Sequence, residues 1–356
     1  MNLQEYLSRA IEHLIWDVGK AFLANPREGA FLLQYRLAAK AAEKRRREHE
    51  AVGEHIPPFL IASIASNCNL FCKGCYARAN HSCGENREEL SAARWGEIFD
   101  EARELGVAFI LLAGGEPLMR RDVMEKAAEY PQIVFPVFTN GTMLRSAYLP
   151  LFDSHRNLLP VLSIEGNEKE TDARRGAGVY RMLLSTMEEL NGRGIFYGAS
   201  VTVTSQNLTA VTAPEFVGNL WEKGCRLILF VEYVPVDSAT QELALGERER
   251  AVLEERQDRL REQFETMIFL SFPGDEKHTE GCLAAGRGFF HIGADGSAEP
   301  CPFSPYSDTS MKNSDLIHAL RSPFFQKLRN EGMLLEEHTG GCVLFQKQAE
   351  VAGLLK

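Results

Sequence analysis

Residues 59–77 read FLIASIASNCNLFCKGCYA. Eight apolar or small residues, rich in strand formers, run straight into a loop that carries Cys68, Cys72 and Cys75. A run that is apolar at consecutive positions reads as a strand buried on both faces, which is the habit of parallel sheets. Five further runs repeat this pattern: VAFILLAG (107–114), IVFPVFTN (133–140), LPVLSIE (159–165), FYGASVTVT (196–204) and RLILFVEYV (226–234). Helical stretches lie between them, such as Glu88 to Leu105 and Tyr180 to Leu190, where apolar residues recur at helical spacing. Six strand-then-helix units predict an α/β fold with a parallel sheet and helical crossovers. In such folds the functional residues sit at the carboxyl ends of the strands.

On either side the chain changes character. Leu3, Leu7, Ile11, Leu14, Ile15, Val18 and Phe22 recur at helical spacing, and Pro26 breaks that pattern. A second helix is expected from about Gly29 to Glu50, its end KAAEKRRREHE forming a solvated charged face. A helix from about Gly246 to Phe264 is expected to close the central part. Beyond it GFFHIGADGSAEPCP carries Asp295-Gly296, a tight-turn dipeptide between short strands. Three regions follow: an N-terminal helical segment (1–57), a core domain (58–265) and a C-terminal α+β extension (266–356).

Composition sets the bounds. The chain has 356 residues, 45% hydrophobic and 25% charged, with a formal net charge of -10. These are ordinary globular values. A protein this acidic is a poor candidate for sequence-independent nucleic-acid binding. No apolar run approaches the ~18 residues of a membrane span, and no secretory signal pattern opens the chain. A cytoplasmic protein with no nucleic-acid or membrane partner is expected.

Of the eight cysteines, Cys68, Cys72, Cys75 and Cys83 fall within sixteen residues. Clustered cysteines in a cytosolic protein suggest metal or redox chemistry. In Cys68-x3-Cys72-x2-Cys75 three thiolates on one short loop can each bind one iron of a [4Fe-4S] cube, leaving one iron open. A zinc site normally wants four ligands from paired knuckles, and that arrangement is absent here. A redox pair of Cys72 and Cys75 leaves Cys68 unexplained.

Here the sequence resembles the radical S-adenosylmethionine (SAM) superfamily over about residues 58 to 240. The resemblance implies a partial (β/α)6 barrel and a SAM-binding [4Fe-4S] cluster held by Cys68, Cys72 and Cys75. Tyr76 takes the usual aromatic position beside the last cysteine. SAM would chelate the open iron, and its reductive cleavage would yield a 5′-deoxyadenosyl radical that removes a hydrogen atom from the substrate. Gly114-Gly115-Glu116-Pro117 looks like the family's binder of the SAM amino group, although such a stretch is also a plausible strand-to-helix turn. Asn140, in Thr139-Asn140-Gly141-Thr142, takes a position that lines the SAM pocket, where Asn-Gly is also turn chemistry. Ser163 and Arg175 match positions that hold the SAM carboxylate, a task suited to an arginine fork. Arg174 and Arg175 could equally be a solvated surface pair. Thr202, Thr204 and Asn207 match possible ribose or adenine contacts, although alternating Thr is also ordinary strand chemistry.

The C-terminal region resembles the SPASM/twitch extension of that superfamily through Cys282, the small residues to Gly286, the hairpin with Cys301, and Gly341-Cys342. The resemblance implies one auxiliary [4Fe-4S] cluster on Cys282, Cys301 and Cys342. The alternative is three dispersed buried thiols. Glu276 and His278 are candidate further ligands, as is a cysteine from elsewhere such as Cys83. Cys225 reads as a core thiol and Cys83 as a loop cysteine near the barrel mouth.

The function implied is an anaerobic radical SAM enzyme acting on a peptide or protein side chain, or on a small cofactor or natural-product precursor. A reductant such as ferredoxin or flavodoxin would be a partner. The N-terminal 57 residues are too short and too helical for the winged-helix leader-peptide binder of many peptide maturases, which counts against that substrate class. The alternative of another class is an iron-sulfur electron carrier or adaptor without radical chemistry, for which a SAM pocket would be superfluous.

Overall fold

The structure is a computed structural model that describes residues 26–84, 88–145, 147–235, 238–273, 281–335 and 342–355. The expected first helix, from Leu3 to Phe22, lies outside the described residues, as do Glu276, His278 and Gly341.

All six expected strands form: β1 (Phe59–Ala65), β2 (Phe109–Gly114), β3 (Phe135–Thr139), β4 (Leu158–Ser163), β5 (Gly198–Val203) and β6 (Leu227–Glu232). Each pairs in parallel with the next. The sheet order is sequential, so every crossover moves one strand in the same direction. Right-handed crossovers then put the helices between the strands on one face, the winding of a β/α barrel. Helix α2 (Ala92–Leu105, with α1 defined below) illustrates the local logic. Ser91 caps it by accepting from the Arg94 N–H, and Trp95, Ile98, Phe99, Ala102 and Leu105 form its buried face.

Three strands extend the sheet across the expected boundary at residue 265. Strand β7 (Ile268–Phe272), not marked in the sequence reading, adds in parallel to β6. On the opposite edge β8 (His291–Ile292) adds in parallel to β1, and β9 (Ala298–Glu299) returns antiparallel across the Asp295-Gly296 turn. Buried residues from Ile56 to Val351 form one continuous apolar cluster. The C-terminal hairpin is therefore anchored beside the strand that leads into the cysteine loop.

Register sorts the concave face into two layers. Residues paired in parallel strands share a face, so Phe59, Phe109, Ile61, Leu111, Ser63 and Ala113 all point to one side. Towards the amino ends of the strands this face is apolar. There Leu111, Phe138, Val161, Leu229 and Leu270 surround a cavity of about 180 Å³. Towards the carboxyl ends it turns polar, with Ser163 opposite Ser200 and Thr202 further along β5.

Helix α1 (Pro26–Ala51) closes the apolar end. Tyr35 donates to the Ala108 carbonyl at 2.9 Å, and Arg156 pairs with the buried Glu28 at 2.5 Å. The charged run at the end of α1 is not wholly solvated. Arg46 is only 2% exposed and donates to the Gly106 carbonyl. Burial works against its charged form and lowers its pKa.

Candidate functional site

The carboxyl ends of the strands carry the expected residues. The cysteine loop leaves β1 and is laced by Arg78, which donates to the Cys68 and Leu70 carbonyls at 3.3 and 2.8 Å. The Arg78 guanidinium also lies 3.9 Å from the centre of the exposed Phe71 ring. Arg78 was not singled out in the sequence, where it is one charge in a polar loop. The Cys68 thiol is pushed up to about 11, chiefly by burial, with the Leu70 N–H opposing that shift. Among the described residues no three His, Cys, Asp or Glu side chains close on a single point as a tetrahedral zinc site requires. Ligands of a cube are spread over separate irons.

Gly115 allows the loop and the end of β2 to meet. A Cβ on it would lie 2.1 Å from the Asn67 carbonyl oxygen and 3.0 Å from Cys83 Sγ. The room that Gly115 leaves is thus taken up by the chain itself. The Gly115 and Glu116 N–H groups donate to the Ala65 and Asn67 carbonyls. Cys83 is buried here rather than sitting on an open loop, and burial raises its pKa.

Glu116 is 1% exposed. Its carboxylate accepts from Thr139 Oγ1 at 2.6 Å, the Asn140 N–H at 2.8 Å and the Leu118 N–H at 3.1 Å. Burial raises its pKa against these three donors. A carboxylate offers about four acceptor positions, so one is left for a ligand. Pro117 opens the short turn that this carboxylate caps. Glu116 also fixes the end of β3 and with it Asn140. The Asn140 Nδ2 lies 2.8 Å from Asn69 Oδ1 and 3.9 Å from Cys68 Sγ.

Arg174 and Arg175 are not a solvated pair. Both converge on Glu165, which is 2% exposed at the end of β4. Arg174 also reaches Thr202 Oγ1 at 2.7 Å and the Lys73 carbonyl at 3.1 Å. Arg175 forks onto Glu165 and brings Nη1 to 4.0 Å from Cys72 Sγ. Burial opposes the Arg175 charge, but Glu165 and the Cys72 thiol outweigh it and its pKa rises. Glu165 was quoted in the sequence without a role. Its signal was an acid at the tip of an apolar strand. Ser163 is half-buried two residues earlier. Thr204 and Asn207 cap one another, and Asn207 Nδ2 donates to the Glu165 and Thr202 carbonyls. These groups brace Glu165.

The second cysteine set also assembles. Cys282, Cys301 and Cys342 are all buried, and Cys301 interacts with both of the others, with Cys342 as hydrogen-bond partner. Burial first, and then these thiols, push the Cys301 thiol well up. They are therefore not dispersed. Ser304, whose N–H donates to the Cys301 carbonyl, buries a hydroxyl without a partner. Cys225, by contrast, stands apart in the core, donates to the Leu227 carbonyl and is pushed up to about 12 by burial.

Tyr76 lies between the two sets. Its ring meets Phe303 edge-on at 4.9 Å, and burial, then the Cys75 and Cys301 thiols, raise its pKa. Asn80 Nδ2 adds a hydrogen bond to the Pro302 carbonyl at 3.0 Å. Beside them His291 bridges Ser63 Oγ and Glu299 Oε2, each at 2.7 Å, all three buried on the concave face. An ionised carboxylate only accepts, so with Glu299 ionised Nδ1 is the donor and Nε2 accepts from Ser63. This chain was not legible in the sequence, where its members lie 228 positions apart.

The model of the radical SAM superfamily matches residues 63–216, the stretch that holds the cysteine loop, Glu116, Asn140, Ser163 and Arg175. Residues 63–216 are thus a radical SAM domain by sequence. Fe-coproporphyrin III synthase of Methanosarcina barkeri is 31% identical over 160 residues, which cover 44% of this chain and 39% of that protein. AdoMet-dependent heme synthase of the same organism is 25% identical over 323 residues, covering 83% of this chain and 90% of that protein. The chain spans about two fifths of the length of several curated relatives that it matches. Streptococcus suis SuiB bound to precursor peptide SuiA shares the fold, with a TM-score of 0.66 at 19% identity over 86% of this chain and 73% of that one. Coverage of 86% is more than residues 1–265 supply, so the shared fold reaches into the C-terminal region. The fold is the partial barrel of radical SAM proteins. Among the described residues no helix is long and apolar enough to cross a membrane.

Proposed function

We propose that this protein is a radical SAM enzyme whose substrate is a peptide or protein side chain or a cofactor precursor. The observation that carries the reading is the convergence of the Cys68, Cys72 and Cys75 loop with Glu116, Asn140 and Arg175 at the carboxyl ends of four adjacent strands. A [4Fe-4S] cluster with SAM would supply reductive cleavage to a 5′-deoxyadenosyl radical and hydrogen-atom abstraction from the substrate. The residues fit that group. Three thiols stand on one loop, a buried Tyr233 hydroxyl against Gly74 has no partner, and Arg175 holds positive charge beside Cys72. Glu116 keeps one acceptor position for the SAM ammonium, and Arg175 and Ser163 stand for its carboxylate. The apolar end of the concave face and α1 exclude water from below the site.

Cys282, Cys301 and Cys342 would hold an auxiliary cluster, with Tyr76 and Phe303 packed between the two cysteine sets. The match along 90% of a heme synthase supports the cofactor-precursor class, and the SuiB fold supports a peptide. A ferredoxin or flavodoxin would supply the electron, and the cytoplasm is the compartment in which such a partner and free thiols coexist.

The test is anaerobic incubation of the reconstituted protein with SAM and dithionite. Formation of 5′-deoxyadenosine is expected. Its absence, with the irons in place, would leave the electron-carrier reading instead.

A further inference from the structure

Among the described residues six buried side-chain nitrogen or oxygen atoms have no hydrogen-bond partner. Only two of them are hydroxyls, on Tyr233 and Ser304. Tyr233 follows β6 directly, 4% exposed, with its N–H donating to the Val203 carbonyl at 2.9 Å. That bond aims the ring from the strand end toward the cysteine loop. A Cβ on Gly74 would stand 2.7 Å from the Tyr233 hydroxyl and 3.1 and 3.2 Å from its ring carbons. Gly74 has a φ of +64°, in the left-handed region that favours glycine. The loop therefore has a glycine between Cys72 and Cys75 where the phenol presses against it.

A buried phenol with no acceptor is costly, because its O–H loses water and gains nothing. The acceptor that this place is built for is negative and close to Gly74. Donors to the loop sulfurs are already visible on its other sides. The Leu70 N–H and Asn140 Nδ2 face Cys68 Sγ at 3.4 and 3.9 Å, and Arg175 Nη1 faces Cys72 Sγ at 4.0 Å. Tyr233 stands against Gly74, the residue that precedes Cys75 in the loop.

We propose that the Tyr233 hydroxyl donates a hydrogen bond to a sulfur of the cluster held by Cys68, Cys72 and Cys75, and so tunes its reduction potential upward. The inference rests on the cluster reading of this loop. Hydrogen bonds to cluster sulfur withdraw negative charge and ease reduction. Tyr233 is thus a positioning and tuning residue for the cofactor, placed by β6.

The experiment uses the full-length protein, reconstituted and free of SAM. The signal of this cluster is the one missing from a Cys68→Ala, Cys72→Ala, Cys75→Ala variant. Its midpoint potential is read by a titration followed by electron paramagnetic resonance, in wild type and in Tyr233→Phe, which keeps the ring. The expected result is unchanged iron content, a midpoint shifted to more negative values, and loss of one exchangeable-proton coupling to the cluster. An unchanged midpoint and unchanged couplings would overturn the proposal, and so would a change confined to SAM affinity. Iron lost from Tyr233→Phe alone would also overturn it, since the phenol would then hold the loop rather than tune a cluster. If wild type binds no iron at Cys68, Cys72 and Cys75, the cluster reading falls, and the proposal with it.

Discussion

Arg175 brings its Nη1 to 4.0 Å from the Cys72 sulfur, across 103 positions of sequence. The guanidinium is held there by its fork onto Glu165, which Arg174 shares from the other side. A buried carboxylate with two arginines leaves a net positive charge beside a loop of three thiols. Ionised thiolates, a cluster and a carboxylate-bearing ligand would all gain from that charge.

Iron content separates the two cysteine sets. The reconstituted protein is expected to hold about eight irons, and the Cys68→Ala, Cys72→Ala, Cys75→Ala variant about four, with no SAM cleavage. A triple variant that kept all its iron would remove the assignment of this loop.

The complementary variant removes the other set. Cys282→Ala, Cys301→Ala and Cys342→Ala together should also leave about four irons, while reductive cleavage of SAM survives. Loss of cleavage with intact loop iron would mean that the second set serves the first step as well.

Replacing Arg175 should weaken SAM binding without touching iron. Arg175→Ala is expected to cost about tenfold or more in SAM affinity, the loss of a charge-assisted hydrogen bond. Arg175→Lys should not recover it, because an ammonium cannot fork onto Glu165 and also reach a ligand. Equilibrium binding of SAM to the reconstituted protein measures both. Equal affinities in all three proteins would remove Arg175 from the pocket.

Glu116 has a double role, and the two parts can be pulled apart. Glu116→Ala strands the Asn140 and Leu118 N–H groups and the Thr139 hydroxyl, and should lower stability by about 2–4 kcal/mol. Glu116→Gln keeps most of those bonds but loses the charge, so it should restore most of the stability and still bind SAM poorly. Urea unfolding and SAM binding give the two readings. Full SAM affinity in Glu116→Gln would show that the carboxylate serves the fold alone.

His291 should couple to Glu299. His291→Leu leaves Glu299 Oε2 and Ser63 Oγ short of a buried partner, at a cost of about 2–4 kcal/mol. Adding Glu299→Gln removes the stranded charge, so the double variant should be more stable than the sum of the single losses allows. Strictly additive losses in urea unfolding would show that the three groups do not act as one chain.

Much of this molecule is local in origin. The six strands read from apolar runs appear within two or three residues of their expected ends, because a doubly buried strand needs apolar side chains on both faces. The cysteine loop was legible because three ligands of one cluster sit on one short segment. Strand β7 escaped notice because Ile268–Phe272 is short and follows a charged helix, and only β6 as a neighbour makes it a strand. Arg46 escaped because a charge run looks solvated until the Gly106 carbonyl lies against it.

The sequence by itself determined the α/β winding, the cysteine loop and the residues at the strand ends, since each depends on spacing along a few neighbouring positions. Tertiary structure alone decided which of those residues face one another. Arg174 and Arg175 turn inward because Glu165, at the tip of β4, is buried and needs a counter-charge. Cys282, Cys301 and Cys342 meet, and Tyr76 meets Phe303, because β8 pairs with β1 and carries the C-terminal hairpin to the cysteine loop. Such contacts join positions far apart in the chain, and their energies come from burial and charge that exist only once the sheet has formed.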